Sequence, residues 1–91
     1  MVLVHGYGGG ACIFYQILSD LANYFHIYAI DLLGMGASAR PEFGDLTVDE
    51  TEDFFVNSIK KWKEKVGIQE KYYLAGHSMG GYISTCYAMR Y

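Results

Sequence analysis

Three short apolar runs, each followed by a glycine-bearing turn and then by a stretch with helical periodicity, set the limits on what this chain can fold into. The runs are Met1-Val2-Leu3-Val4, Ile27-Tyr28-Ala29-Ile30 and Tyr72-Tyr73-Leu74-Ala75. The first is continuous rather than alternating, which is how a strand buried on both faces reads, and is expected to be the central strand. After the first, Phe14, Ile17, Leu18 and Leu21 follow the i, i+3, i+4, i+7 rule and predict an amphipathic helix over 11–24. The loop 32–46 holds Gly34, Gly36, Pro41 and Gly44 and cannot be regular throughout. Thr47 and Glu50 then form a capping box, each side chain able to satisfy the other's backbone N–H, and open a longer helix that Gly67 stops. Asp49, Glu50, Glu52 and Asp53 at its start and Lys60, Lys61, Lys63 and Lys65 at its end match the helix dipole. Phe55, Ile59, Trp62 and Val66 mark its buried face. Residues 80–91 continue as a weaker helical pattern. Such strand–helix alternation predicts an α/β fold of three βα units, a parallel sheet with right-handed crossovers and helices on both faces.

Composition narrows the function classes. Seven Lys and Arg against ten Asp and Glu give a net charge of −3, and 52% of the 91 residues are apolar. That is too apolar for a disordered tail and offers no basic footprint for nucleic acid. No apolar run approaches the roughly 18 residues of a membrane span, and the start lacks a leader pattern. The four-lysine cluster suits a peripheral lipid surface as a second reading after the dipole. Cys12 and Cys86 fit no C-x-x-C pattern and are expected to be small buried hydrophobes. No metal or cofactor pattern stands out; Walker-type Gly-Lys-Ser/Thr is absent. Neither linker nor repeat divides 1–91, so the chain reads as one domain or part of one.

Chemistry concentrates at the strand ends. Gly76-His77-Ser78-Met79-Gly80-Gly81 contains G-x-S-x-G between an apolar run and a helical stretch. Lifting a serine hydroxyl off a strand end requires a sharp turn into a helix, with strained backbone at Ser78 and no side chain at positions 76 and 80 to collide with neighbouring backbone. Gly81 allows close helix packing. The first run ends in His5-Gly6-Tyr7-Gly8-Gly9-Gly10, a turn whose N–H groups point above the sheet. Attack by Ser78 on an acyl carbonyl creates an oxyanion, and the N–H of Met79 with that of Tyr7 or Gly8 are the expected donors.

These residues resemble the α/β-hydrolase fold family, in its lipid-active branch of esterases, phospholipid hydrolases and lysophosphatidic acid acyltransferases. His5-Gly6-Tyr7 resembles the family's oxyanion turn, Asp31-Leu32-Leu33-Gly34-Met35-Gly36-Ala37-Ser38 its D-x-x-G-x-G-x-S loop, and Gly76 to Gly81 its elbow, while the triple glycine Gly8-Gly9-Gly10 and the G-H-S-x-G-G-Y run ending at Tyr82 resemble the lipid-active branch. The resemblance implies a serine hydrolase or acyltransferase acting on carboxylic, lipid-type esters through an acyl-enzyme on Ser78, without a cofactor. It also implies a location in the cytoplasm or at the surface of a lipid droplet or mitochondrial membrane. Some members carry Asn at the nucleophile position and act as lipase co-activators; this chain keeps Ser78.

Three features depart from the family pattern. The family's triad runs Ser, then Asp or Glu, then His. After Ser78 none of the remaining residues is Asp, Glu or His. His5, His26 and His77 are read as structural, with His5 shaping the oxyanion turn, and Asp31 as a loop residue whose carboxylate accepts N–H bonds within 34–38, joined there by Arg40. The family also has strands before and after these three, which would stand in spatial order second, first, third with unpaired edges. The chain is therefore expected to be an internal or amino-proximal piece of a larger hydrolase, poorly stable and inactive alone, with triad acid and base, lid and acyl pocket drawn largely from elsewhere.

Two rival readings remain. A pseudo-hydrolase would keep the fold as a lipase-binding or lipid-droplet module without chemistry. Alternatively Gly6-Tyr7-Gly8-Gly9-Gly10-Ala11 satisfies G-x-G-x-x-A, with Asp31 ending the next strand, the parts of a dinucleotide site. That reading leaves Gly76 to Gly81 unexplained.

Overall fold

A computed structural model describes all residues from Met1 to Tyr91. The elements run β1 (Val2–Val4), a 3-10 turn (Ala11–Phe14), α1 (Tyr15–Leu21), β2 (Tyr28–Ile30), α2 (Val48–Val66), β3 (Leu74–Gly76) and α3 (Met79–Arg90). All pairings are parallel and the strand order is β2-β1-β3, the expected one. Val4 stands opposite Ile30 on one side and Gly76 on the other, so the three strands end level with one another. The third strand begins two residues later than expected and takes in Gly76, because the ladder to β1 continues to Val4 and beyond it to a bond from His77 N–H to the Val4 carbonyl at 3.0 Å.

The chain steps from β1 outward to β2, then returns past β1 to β3. Because the direction of travel reverses and each crossover is right-handed, the two connections lie on opposite faces. Val2 and Val4 face α2 and α3 and pack with Phe55, Val56, Ile59, Ile83, Tyr87 and Leu32 into the core. Leu3 is buried too but stands outside that cluster, as strand alternation demands.

The two faces differ in how well they are covered. Helix α2 begins at Thr47, whose hydroxyl oxygen accepts the Glu50 N–H at 3.2 Å, and ends at Gly67, with φ 80. Only half of the capping box forms. The Thr47 hydroxyl donates to the Glu50 carboxylate at 3.1 Å in place of the reciprocal backbone bond. At the other end Lys60 lies 4.7 Å over the Tyr91 ring and Lys63 lies 5.6 Å over Tyr72, so these stems cover aromatic surface as well as answering the dipole.

The first helix is the main correction. The predicted helix over 11–24 is a 3-10 turn followed by only seven α-helical residues, and none of its side chains is buried. Gly10 supplies no side-chain cap, and Ile17 stays 45% exposed because no other helix of the chain packs over it. The cysteine expectation fails for the same reason: Cys12 is exposed in that uncovered turn, while Cys86 is half-buried on α3.

Ile59 and Ile17 therefore separate core from surface. Ile59→Ala is expected to cost about 2–5 kcal/mol of unfolding free energy. Ile17→Ala should stay within about 0.5 kcal/mol. Chemical denaturation of the two variants checks both, and equal losses would refute the assignment of the core to the α2–α3 face.

Candidate functional site

In an open parallel sheet, ligands bind beyond the carboxyl ends of strands where neighbouring connections leave for opposite faces. Here that crevice opens between β1 and β3. The connection after β1 departs to one face and α3 to the other, and the loops that flank the crevice are the His5–Gly10 turn and the Gly76–Gly81 elbow.

The elbow is a tight turn with an identifiable geometry. Gly80 N–H donates to the His77 carbonyl at 2.9 Å, closing a four-residue turn. Ser78 has φ 55 and ψ −122, close to the values of about +60° and −120° for the first central residue of a type II′ turn. It is the only non-glycine residue with positive φ. The flanking glycines are fixed by contact: a Cβ at Gly76 would lie 2.3 Å from the Gly80 carbonyl oxygen, and one at Gly80 would lie 2.2 Å from that of Val4. Residues 78 and 79 thus turn directly from strand into helix, and Ser78 is exposed.

The turn after β1 meets the elbow. Gly6 is buried, and a Cβ there would stand 3.1 Å from the Ser78 Cβ. Gly9 N–H donates to the Gly6 carbonyl at 3.1 Å across a turn in which Gly8 takes φ 70, a position that favours glycine. The N–H groups of Tyr7, Gly8 and Met79 donate to no protein carbonyl. Tyr7, 85% exposed, leaves this turn open.

Two side chains lock that turn to the loop after β2. His5 is fully buried; its Nε2 accepts the Leu32 N–H at 3.0 Å, so its proton sits on Nδ1, which donates to the Gly6 carbonyl at 2.7 Å. Asp31 accepts the N–H of Ala11 at 2.7 Å and that of Ala37 at 2.9 Å, and its own carbonyl accepts the Ser38 hydroxyl at 2.6 Å. Gly36 takes φ 55, and a Cβ there would meet the Asp31 carboxyl at 2.3 Å; Gly34 takes φ 82 in the same loop. Arg40 closes it by donating to the carbonyls of Ser38 and Gly36, both at 2.9 Å. The Ala11 and Ala37 N–H bonds hold the Asp31 carboxyl below its ordinary 3.8. They also occupy both groups that a dinucleotide site would need, the acid and the first N–H of the following helix. His77 is exposed beside Ser78, and His26 lies remote from the crevice, stacked on Tyr28.

Sequence reasoning missed an apolar cavity of about 320 Å³ beside the elbow. Tyr7 and Met79, which flank the crevice, form part of its wall, with Met35, Pro41 and Phe43 from the loop and Thr51, Phe54 and Phe55 from α2. Phe43, Phe54 and Phe55 form a ring cluster with centroids 5.0 to 6.2 Å apart. The available signal was Phe54 beside Phe55 on a helix that needs only one buried face. No group of three His, Cys, Asp or Glu side chains could hold a metal ion, and no helix is long and apolar enough to cross a membrane.

Comparison with known proteins agrees with this geometry. The alpha/beta hydrolase fold family profile matches residues 1–91, and the chain belongs to that family. It is 38% identical over 91 residues to a 1-acylglycerol-3-phosphate O-acyltransferase of Arabidopsis thaliana, covering all of this chain and 22% of that protein. It is 41% identical over 91 residues to the human 1-acylglycerol-3-phosphate O-acyltransferase ABHD5, covering all of this chain and 26% of that protein. The chain therefore spans about a quarter of the length of these relatives. A crystal structure of ALR0039 from Nostoc sp PCC 7120, named as an alpha/beta hydrolase, superposes with a TM-score of 0.85 at 28% identity, covering 98% of this chain and 30% of that one.

Two measurements probe the site's construction. Ser78→Gly should raise unfolding free energy by about 1 kcal/mol by releasing backbone strain, whereas Ser78→Ala, which keeps the Cβ, should not; thermal unfolding that ranks alanine above glycine would contradict the strain. For Asp31 the folded value lies below 3.8, so its contribution to stability is complete above that pH and fades as pH falls through the folded value. The stability gap between wild type and Asp31→Asn should hold steady from about pH 7 to pH 5 and narrow in stronger acid. A gap unchanged down to the acid limit of folding would refute the carboxylate's role.

Proposed function

We propose that Ser78 is the nucleophile of a serine hydrolase or acyltransferase that acts on esters with an apolar, lipid-type acyl chain. The observation that carries the reading is the strained, exposed serine at the mouth of the β1–β3 crevice, against Gly6 and beside the apolar cavity. Backbone strain on one non-glycine residue persists only where the surroundings impose it, and such positions cluster at reacting sites.

A general base removes the Ser78 proton as Oγ attacks the acyl carbonyl carbon. The resulting oxyanion accepts from the N–H of Met79 and from that of Tyr7 or Gly8, which have no competing protein acceptor. Collapse expels the alcohol with the returned proton and leaves the acyl group on Ser78. Water then releases a carboxylic acid, or a lysolipid hydroxyl takes the acyl group and a new ester forms. The names of the relatives support a lipid acceptor. His5 is committed to Gly6 and Leu32 and Asp31 to Ala11 and Ala37, so neither is free to serve as base or acid. We assign those roles to an Asp or Glu and a His outside these 91 residues, which makes 1–91 part of a larger hydrolase domain.

The test uses the complete product of the gene. A fluorophosphonate probe should label it, and Ser78→Ala should abolish the label and lower ester turnover on the order of a million-fold. A folded product that takes no label, or one whose label survives Ser78→Ala, would replace this reading with a non-catalytic lipid- or lipase-binding module.

A further inference from the structure

Helices α2 and α3 run side by side, and polar side chains from both ends of α3 bridge to the first half of α2. At the far end of α3, Arg90 donates to Asp53 at 2.6 Å and the Tyr91 hydroxyl donates to Asn57 at 3.2 Å. At the elbow end the bridge is a single bond, from the Tyr82 hydroxyl to the Glu52 carboxylate. Its place is unusual on both helices. Met79 precedes Tyr82 by one turn and Phe55 follows Glu52 by one turn, and both Met79 and Phe55 line the apolar cavity. Residues one turn apart share a helix face, so the bond and the cavity wall lie on the same side of the α2–α3 seam. Tyr82 is also tied to the elbow itself, its N–H donating to the Ser78 carbonyl at 3.2 Å.

We propose that Tyr82 and Glu52 are a specificity-determining positioning pair: by tying the first turn of α3 to α2 they fix the gap between Met79 and Phe55, and with it the length of acyl chain the cavity admits. This rests on the reading of the cavity as the acyl pocket. Neither residue touches the reacting atoms. The bond stands throughout the neutral range, since donation to Glu52 pushes the Tyr82 phenol up to about 12. Without it the start of α3 keeps its backbone bonds to the elbow and its buried Ile83 but loses its side-chain hydrogen bond to α2, and Met79 can shift relative to the phenylalanine cluster.

The experiment measures displacement of a fluorescent fatty acid from the complete gene product by octanoate and by oleate, alongside fluorophosphonate labelling. Tyr82→Phe and Glu52→Ala should each move the oleate-to-octanoate affinity ratio toward oleate by at least about threefold, part of the tenfold that one methylene is worth in an apolar pocket. Glu52→Gln, which still offers an acceptor, should stay close to wild type, and the double variant Tyr82→Phe/Glu52→Ala should move the ratio no further than either single change. Arg90→Ala, which breaks the bridge at the far end, should leave the ratio unchanged. The proposal is overturned if the ratio stays constant in folded Tyr82→Phe and Glu52→Ala, if Arg90→Ala shifts it equally, or if wild type binds neither acid. A shifted ratio in a protein that takes no fluorophosphonate label supports the pair and removes the serine-enzyme reading alone.

Discussion

The site depends on one approach of backbone to backbone. The first turn of α3 comes so near the ends of β1 and β3 that a single added carbon at Gly76 or Gly80 would overlap a carbonyl group. That proximity turns the chain from strand to helix within two residues, gives Ser78 its positive φ and brings Gly6 against it. If the helix stood farther off, the turn could relax into an ordinary conformation and the hydroxyl would leave the crevice.

The second support is electrostatic and runs through the loop after β2. His5 and Asp31 both spend their hydrogen-bonding capacity on backbone amides and carbonyls, joining the turn after β1 to residues 32–37. Bonds from N–H groups to a carboxylate are among the stronger hydrogen bonds in proteins. Their geometric effect matters more here. They leave the amides of Tyr7 and Gly8 without an internal partner while fixing the segment that carries them.

The architecture and the motif turns were legible in the sequence because each rests on local patterns. The continuous run Val2–Val4 announces a buried central strand, Gly67 and Thr47 announce the ends of α2, and glycine spacing announces the elbow. What the sequence did not disclose depends on tertiary neighbours. The periodicity of Phe14 to Leu21 is real, yet those side chains stay uncovered, since periodicity reports which face is apolar and not what packs against it. Glycine reads as a strand stop, whereas here the ladder to β1 carries Gly76 within β3, opposite Val4. The cavity escaped notice because its wall gathers residues from the first turn, the long loop, α2 and the elbow, which no window of sequence brings together.

Position 78 also bears on how copies of such a gene would diverge. At this turn glycine, and after it asparagine or aspartate, is accommodated more easily than serine. A duplicate relieved of any need for the hydroxyl would gain stability by exchanging it, so drift at that codon runs downhill toward those residues. Serine at such a backbone therefore persists only while its oxygen is needed.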